Sequence, residues 1–258
     1  MNLHTNGNFV YLPFVITNKE ITMKKTATLS LFVMILTLNA CVPSPVTLPT
    51  AEPAISIETQ MPTVILPTEA DQSATWKPYT NNSFGFGFEY PSNWFGPSEY
   101  ISDGTLRVEV GSDKVYPYGE QPEQPSDVKN SYNVVIQYAK NNQNLYWKDT
   151  YQSLQNLKDG ESLSGTRSLI IRVRQLDLGR FKGFEYITTL SETAQTDRAY
   201  AREVMLFDEQ TNDLLTIMGQ PNNVEVSNGA NWRDVYQTID ETNLIFFHKI
   251  VESITVSN

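Results

Sequence analysis

The chain has 258 residues, 19 Lys and Arg against 29 Asp and Glu for a net charge of −10, one cysteine and two histidines. A surface this acidic repels phosphate backbones and anionic headgroups, which disfavours nucleic-acid binding and electrostatic membrane adhesion. One cysteine excludes an internal disulfide, and His248, the only histidine beyond His4, excludes a His-based metal site within one chain.

Residues 1–22 hold no basic cluster and read either as an upstream mis-start, with Met23 the initiator, or as an extended n-region. Residues 23–40 read as an export signal. Lys24 and Lys25 hold the amino end in the cytoplasm, and the apolar run Ala27 to Leu38 enters the bilayer. A permanent span needs about 20 apolar residues, and this run stops short at Val42-Pro43-Ser44-Pro45. Leu38-Asn39-Ala40-Cys41 resembles the bacterial lipobox, in which the cysteine sulfur receives a diacylglyceryl group before cleavage. Asn39 is larger and more polar than that pattern usually has. The resemblance implies cleavage after Ala40 and lipid attachment at Cys41. It places the chain outside the cytoplasm, on the cell membrane or the outer membrane.

Residues 41–75 form the next unit. From Val42 to Thr75 there is no aromatic residue, lysine or arginine, and Leu48-Pro49-Thr50, Met61-Pro62-Thr63 and Leu66-Pro67-Thr68 recur. Such a segment buries too little surface to offset its ordering entropy, so a disordered, partly polyproline tether is expected. At about 3.1 Å per residue it reaches on the order of 100 Å. Residues 1–40 carry Lys19, Lys24 and Lys25 against Glu20, which leaves −12 on the remainder. Membrane affinity must then come from the lipid.

Residues 76–258 carry the globular pattern. Phe84-Gly85-Phe86-Gly87-Phe88-Glu89-Tyr90 alternates aromatic residues with glycine or glutamate, predicting a strand with another segment packed closely over its glycine side. The spacing does not make a G-x-G-x-x-G phosphate loop. Pro91 ends the strand and Trp94 follows at a turn. Alternation predicts further strands over 105–110 and 132–139, with a Pro-rich surface loop over 113–130 between them. A helix is expected over 146–158, with Trp147, Tyr151, Leu154 and Leu157 or Lys158 on one stripe and Gly160 ending it. Strands over 169–178, 184–189, 200–207 and 214–218 form a meander, the last two a hairpin across 208–213. Phe247, Ile250, Val251 and Ile254 mark a closing helix. The expected class is α+β, a central antiparallel β-sheet flanked by helices.

The phrase Tyr79-Thr80-Asn81-Asn82-Ser83-Phe84-Gly85-Phe86-Gly87-Phe88-Glu89-Tyr90-Pro91-Ser92-Asn93-Trp94 resembles the opening of PsbP-like domains, which also end in a helix like Phe247 to Ile254. The resemblance implies an α/β/α sandwich, found in bacterial lipoproteins among others, and brings no catalytic motif with it.

Chemistry-bearing residues are sparse. Gly160-Glu161-Ser162-Leu163-Ser164-Gly165 is one residue too long for G-x-S-x-G, and Ser126-Asp127-Val128-Lys129 matches S-x-x-K without its companion motifs. Asp208 and Asp213 flank a hairpin tip and are weak oxygen-ligand candidates for calcium, although the loop lacks the spaced D-x-D-x-D-G pattern. Tyr116 and Tyr118 bracket Pro117 in a loop, where apolar area needs a reason other than the core, and are candidate binding residues. No cofactor is expected. The sequence reads as a non-enzymatic, lipid-anchored binding or accessory module with an envelope protein or ligand as partner. The alternatives are a tethered hydrolase using carboxylates or an isolated serine, and a calcium-stabilised module. Cys41→Ser is expected to abolish palmitate labelling and release the chain from the membrane fraction; a variant still cleaved and membrane-bound would remove the lipoprotein reading.

Overall fold

Strands, with their two-residue side-chain period, build most of the domain. The computed structural model describes residues 74–120, 126–193 and 198–257. The elements in chain order are β1 (Trp76–Asn81), β2 (Phe86–Pro91), β3 (Phe95–Ser102), β4 (Thr105–Gly111), β5 (Ser131–Ala139), α1 (Tyr146–Gln155), β6 (Leu163–Ser164), β7 (Ser168–Leu178), β8 (Phe181–Leu190), β9 (Tyr200–Asp208), β10 (Asp213–Asn222), α2 (Trp232–Glu252) and β11 (Thr255–Val256). In β10 every odd-numbered residue is buried and every even-numbered one half-buried. A strand covered differently on its two faces produces that pattern.

Eight strands form one antiparallel sheet in the order β3-β4-β5-β10-β9-β8-β7-β6. After β5 the chain crosses through α1 to the far edge, then returns strand by strand until β10 pairs with β5. Each face has its own apolar layer. Leu106, Val108, Tyr132, Val134, Ile136, Leu215 and Ile217 meet Phe247, Ile250 and Val251 of α2 on one face. On the other, Leu154 of α1 packs with Val173, Phe184, Tyr186 and Met205. Val204 and Leu206 belong to the first layer and Met205, between them, to the second. The fold is therefore α+β, an antiparallel sheet with helices on both faces, as the alternation predicted.

The aromatic opening strand departs from expectation. It pairs with β1 and β11 in a separate three-stranded sheet in the order β1-β2-β11. Phe86, Phe88 and Tyr90 turn inward, and Phe86 stacks on Tyr138 of the large sheet at 5.3 Å. The glycine side is occupied by the chain's own end: a Cβ at Gly85 would collide with Ser257, and one at Gly87 would lie 3.1 Å from the Thr255 hydroxyl. The close packing expected there is thus supplied by β11, which two residues were too few to announce.

Both helices need correction. The first ends at Gln155, not Lys158, and Gly160 serves a later turn, at φ +84° with its N–H donating to Val173. Its apolar stripe is the predicted one, with Trp147, Tyr151, Leu154 and Leu157 in one cluster. The closing helix begins at Trp232, fifteen residues before the expected stripe, and stops before Ile254. Asn231 caps it by accepting from the Arg233 N–H at 3.0 Å. No helix among the described residues is long and apolar enough to cross a membrane. The signal, Cys41 and residues 41–73 of the tether lie outside the described residues.

Gly219 on β10 faces α2 where a side chain has no room. An added Cβ would fall on the Tyr132 hydroxyl and within 2.7 Å of the Phe247 ring. Gly219→Ala is expected to cost about 1–3 kcal/mol, as overpacking of a filled core does, read as a lower urea midpoint with an unchanged slope.

Candidate functional site

The β3–β4 end of the large sheet carries the one polar groove in which side chains of opposite charge, amides and exposed aromatic rings converge among the described residues. Strand alternation creates it. Leu106, Val108 and Val110 turn toward α2, so Arg107 and Glu109 emerge together on the opposite face. Arg107 Nη2 donates to Glu109 Oε2 at 2.8 Å, and Asn133 Nδ2 on β5 donates to Glu109 Oε1 at 3.2 Å. Asn133 pairs across the ladder with Gly111 and lies over it, because a Cβ there would strike Asn133 Oδ1. Asn133 is 6 % exposed, and its Oδ1 has no hydrogen-bond partner among the described residues.

The loop after β4 forms the groove's wall. Ser98 Oγ of β3 donates to the Tyr116 carbonyl at 3.0 Å, and Ser112 Oγ accepts from the Tyr132 N–H at 2.8 Å. These bonds fold the loop back over the strands. Tyr118 then contacts Tyr100 with ring centroids 4.6 Å apart, and the Arg107 guanidinium lies 4.8 Å from the Tyr118 ring centre. The open groove offers a volume of about 400 Å³. Beside it β3, the end strand of the sheet, exposes Phe95, Tyr100 and Ile101; these and Tyr118 are 41–53 % accessible.

Of the residues singled out from sequence, Tyr116 and Tyr118 both line this groove. Asp208 and Asp213 do not sit at a solvated tip: they are 2 % and 5 % exposed. The Arg180 guanidinium reaches Asp208 at 3.2 Å and Asp213 at 2.7 Å, and the Tyr138 hydroxyl donates to Asp213 at 2.7 Å. Burial alone would raise the Asp208 carboxyl, but hydrogen bonds from Gln210 and Thr211 and the charge of Arg180 outweigh it and lower it below its usual range. A guanidinium occupies the position a cation would need. Ser126 Oγ accepts from the Val128 N–H, while Lys129 Nζ donates to Asn223 Oδ1, so the S-x-x-K pair is directed apart. Ser164 lies in the end strand β6. Cys41 and Leu38-Asn39-Ala40 lie outside the described residues.

A second polar cluster is buried between the sheet and α2. Arg202 on β9 grips Asp240 of α2 through Nε at 3.1 Å and Nη2 at 2.6 Å, and Glu185 of β8 through Nη1 at 2.6 Å. The Tyr132 hydroxyl donates to Asp240 at 2.9 Å. Arg174 Nε donates to Glu185 at 3.1 Å, and His248 Nε2 lies 3.1 Å from the same carboxylate. All the buried charge here is opposed by charge, which marks it as structural.

Arg107 and Glu109 went unremarked in the sequence, although their i, i+2 spacing within an alternating strand places them on one face. Asn133 had no such signal, since its partner lies 24 residues away.

No protein-family model and no curated protein matches the chain. Among solved structures, a Bacteroides thetaiotaomicron protein is similar at 13 % identity over 70 % of this chain, with a TM-score of 0.29. This chain spans about half of that one, 48 %. The Saccharomyces cerevisiae Ran-binding protein Mog1p is similar at 8 % identity over 71 % of this chain and 96 % of its own, with a TM-score of 0.36. Both are resemblances of fold at low scores.

Burial pushes the Glu185 carboxyl up, but hydrogen bonds and charge from His248 and Arg174 more than offset it and hold it at about 2, against 4.5 ordinarily. Because folding lowers this value, its stabilisation is present above pH 4.5 and drains away as pH falls from there toward 2. The difference corresponds to on the order of 3 kcal/mol. Glu185→Gln is expected to lower stability at pH 7 and to flatten the fall in unfolding free energy between pH 5 and pH 2.5, as measured by urea titration.

Proposed function

We propose that the chain is a lipid-anchored binding or accessory module of a bacterial envelope, its globular part a PsbP-like domain, with the groove at the β3–β4 end as its recognition surface. The observation that carries this reading is the groove itself, where exposed Tyr100 and Tyr118 adjoin a fixed Arg107-Glu109-Asn133 array. Exposed aromatic area beside fixed polar groups is what recognition sites require. Burial in the core already accounts for Trp94 and the other opening aromatics, so these rings are not surplus packing.

Several carboxylates are already engaged, which supports binding over hydrolysis, although Glu203, buried beside the Tyr186 hydroxyl, is pushed up by burial and meets no arginine among the described residues. Glu185 and Asp240 are tied to arginine, as are Asp208 and Asp213, and both oxygens of Glu109 accept hydrogen bonds. A hydrolase acid needs a carboxyl free to hold and release a proton. The family reading rests on the phrase Tyr79 to Trp94 and the helix that follows the sheet. Anchoring rests on Lys24-Lys25, the apolar run and Cys41, and it supplies the membrane affinity that a net charge of −12 beyond residue 40 denies the domain.

Crosslinking in intact envelopes, with the anchored chain as bait, tests the assignment. The wild type is expected to recover one stoichiometric envelope component, and the Tyr100→Ala/Tyr118→Ala double variant to lose it while remaining folded and anchored. Equal recovery by both would move the recognition surface elsewhere.

A further inference from the structure

We infer that the groove binds a neutral carbohydrate, a short stretch of an uncharged glycan. This rests on the binding-module reading and names the ligand class of the same site. Charge excludes the main competitors. Arg107 is opposed by Glu109 at 2.8 Å, and the remaining charged residues of the lining, Asp113, Lys114 and Glu120, leave no positive excess. A phosphate or acidic polymer would find Arg107 already paired and a single further lysine, Lys114, outnumbered by Asp113 and Glu120, and would approach a domain of strongly negative charge. A cationic ligand would find Glu109 already engaged by Arg107 and Asn133.

The lining matches what a sugar presents. Each ring offers hydroxyls that donate and accept, and faces of C–H groups that pack on aromatic surface. Arg107 makes one hydrogen bond, to Glu109, among the described residues, leaving further guanidinium donors. Asn133 forms part of the lining, and its Oδ1 lies buried against Gly111 without a hydrogen-bond partner among the described residues. These groups are flat and fixed in advance. Asn133 and Arg107 are braced by Glu109, and Asn223 is held by its Nδ2 bonds to the Ser126 and Val128 carbonyls at 2.9 and 2.6 Å. Tyr118 and Tyr100, 53 % and 41 % exposed, supply the aromatic surface. The volume of about 400 Å³ falls at the small end of ligand sites and suits a short oligosaccharide better than a single ion.

The full lipidated chain in neutral detergent should be titrated calorimetrically with chitotetraose, cellotetraose, maltotetraose and mannotetraose, and with tetragalacturonate as the acidic counterpart. The expected result is saturable binding of at least one neutral tetrasaccharide. Tyr118→Ala and Arg107→Lys are each expected to weaken it about tenfold or more, equivalent to about 1.4 kcal/mol, while Tyr118→Phe retains it. Arg107→Lys keeps the charge and loses only the planar fork, so its loss of binding reports geometry. Binding of none of the four, binding indifferent to these variants, or preference for tetragalacturonate overturns the inference. If the neutral sugars fail while the crosslinked component is still lost in the Tyr100→Ala/Tyr118→Ala variant, the groove recognises a protein and the module reading stands; if both fail, that reading falls too.

Discussion

The position of α2 depends on one buried guanidinium. Arg202 is 5 % exposed and reaches both Glu185 on the neighbouring strand and Asp240 on the helix, itself fully buried. Removing these charges from water is expensive, and only near-ideal geometry with further hydrogen bonds offsets it. The bidentate grip on Asp240 and the Tyr132 hydroxyl supply that geometry. Apolar contacts alone would let a helix slide over a sheet by a turn at modest cost; a carboxylate that must meet a guanidinium at 2.6 Å allows one register. From that register the rest follows. Phe246 reaches Trp76 and Trp94, Phe247 fills the space over Gly219, and the chain leaves the helix where Thr255 can pair with Gly87. The small sheet is thus closed by the chain's end only because α2 is pinned.

That dependence explains what could and could not be read from the sequence. Strands β4, β9 and β10 were legible because each is buried unequally on its two faces, and β5, buried on both, because Tyr132, Val134, Ile136 and Tyr138 still alternate with Asn133 and Gln137. The first two-thirds of α2 were missed although Trp232, Val235, Tyr236 and Ile239 fall at i, i+3, i+4 and i+7; the polar run Asp240 to Asn243 separates that stripe from Phe247, and Asp240 is buried only by meeting Arg202. The same logic misplaced Asp208 and Asp213: two carboxylates beside a turn look solvated until Arg180, some thirty residues earlier, is brought against them. β3 escaped because it is an end strand with mostly exposed residues, and β11 because two residues carry no period. In each case the missing information was a partner distant in sequence.

The candidate site lay between these extremes. Tyr116 and Tyr118 were conspicuous as aromatic residues in a Pro-containing loop, and both line the groove. Their partners were hidden in plain alternation: the rule that buried Leu106, Val108 and Val110 also brought Arg107 and Glu109 out together. The inward set had drawn attention as the core, and the outward set was read as solvated surface. Only the return of the loop, fixed by Ser98 on the Tyr116 carbonyl, turns that surface into a groove.

Coverage of the sheet decides where a groove can form. One face is sealed by α2 and the small aromatic sheet, and on the other α1 covers the strands around Val173, Phe184 and Met205. Toward β3 no helix of the described residues packs closely, and the loop from Ser112 to Glu120 is the wall they provide. The same end receives the amino-terminal segment, since the Thr75 carbonyl accepts from the Ser92 N–H at 2.8 Å, three residues before β3 begins.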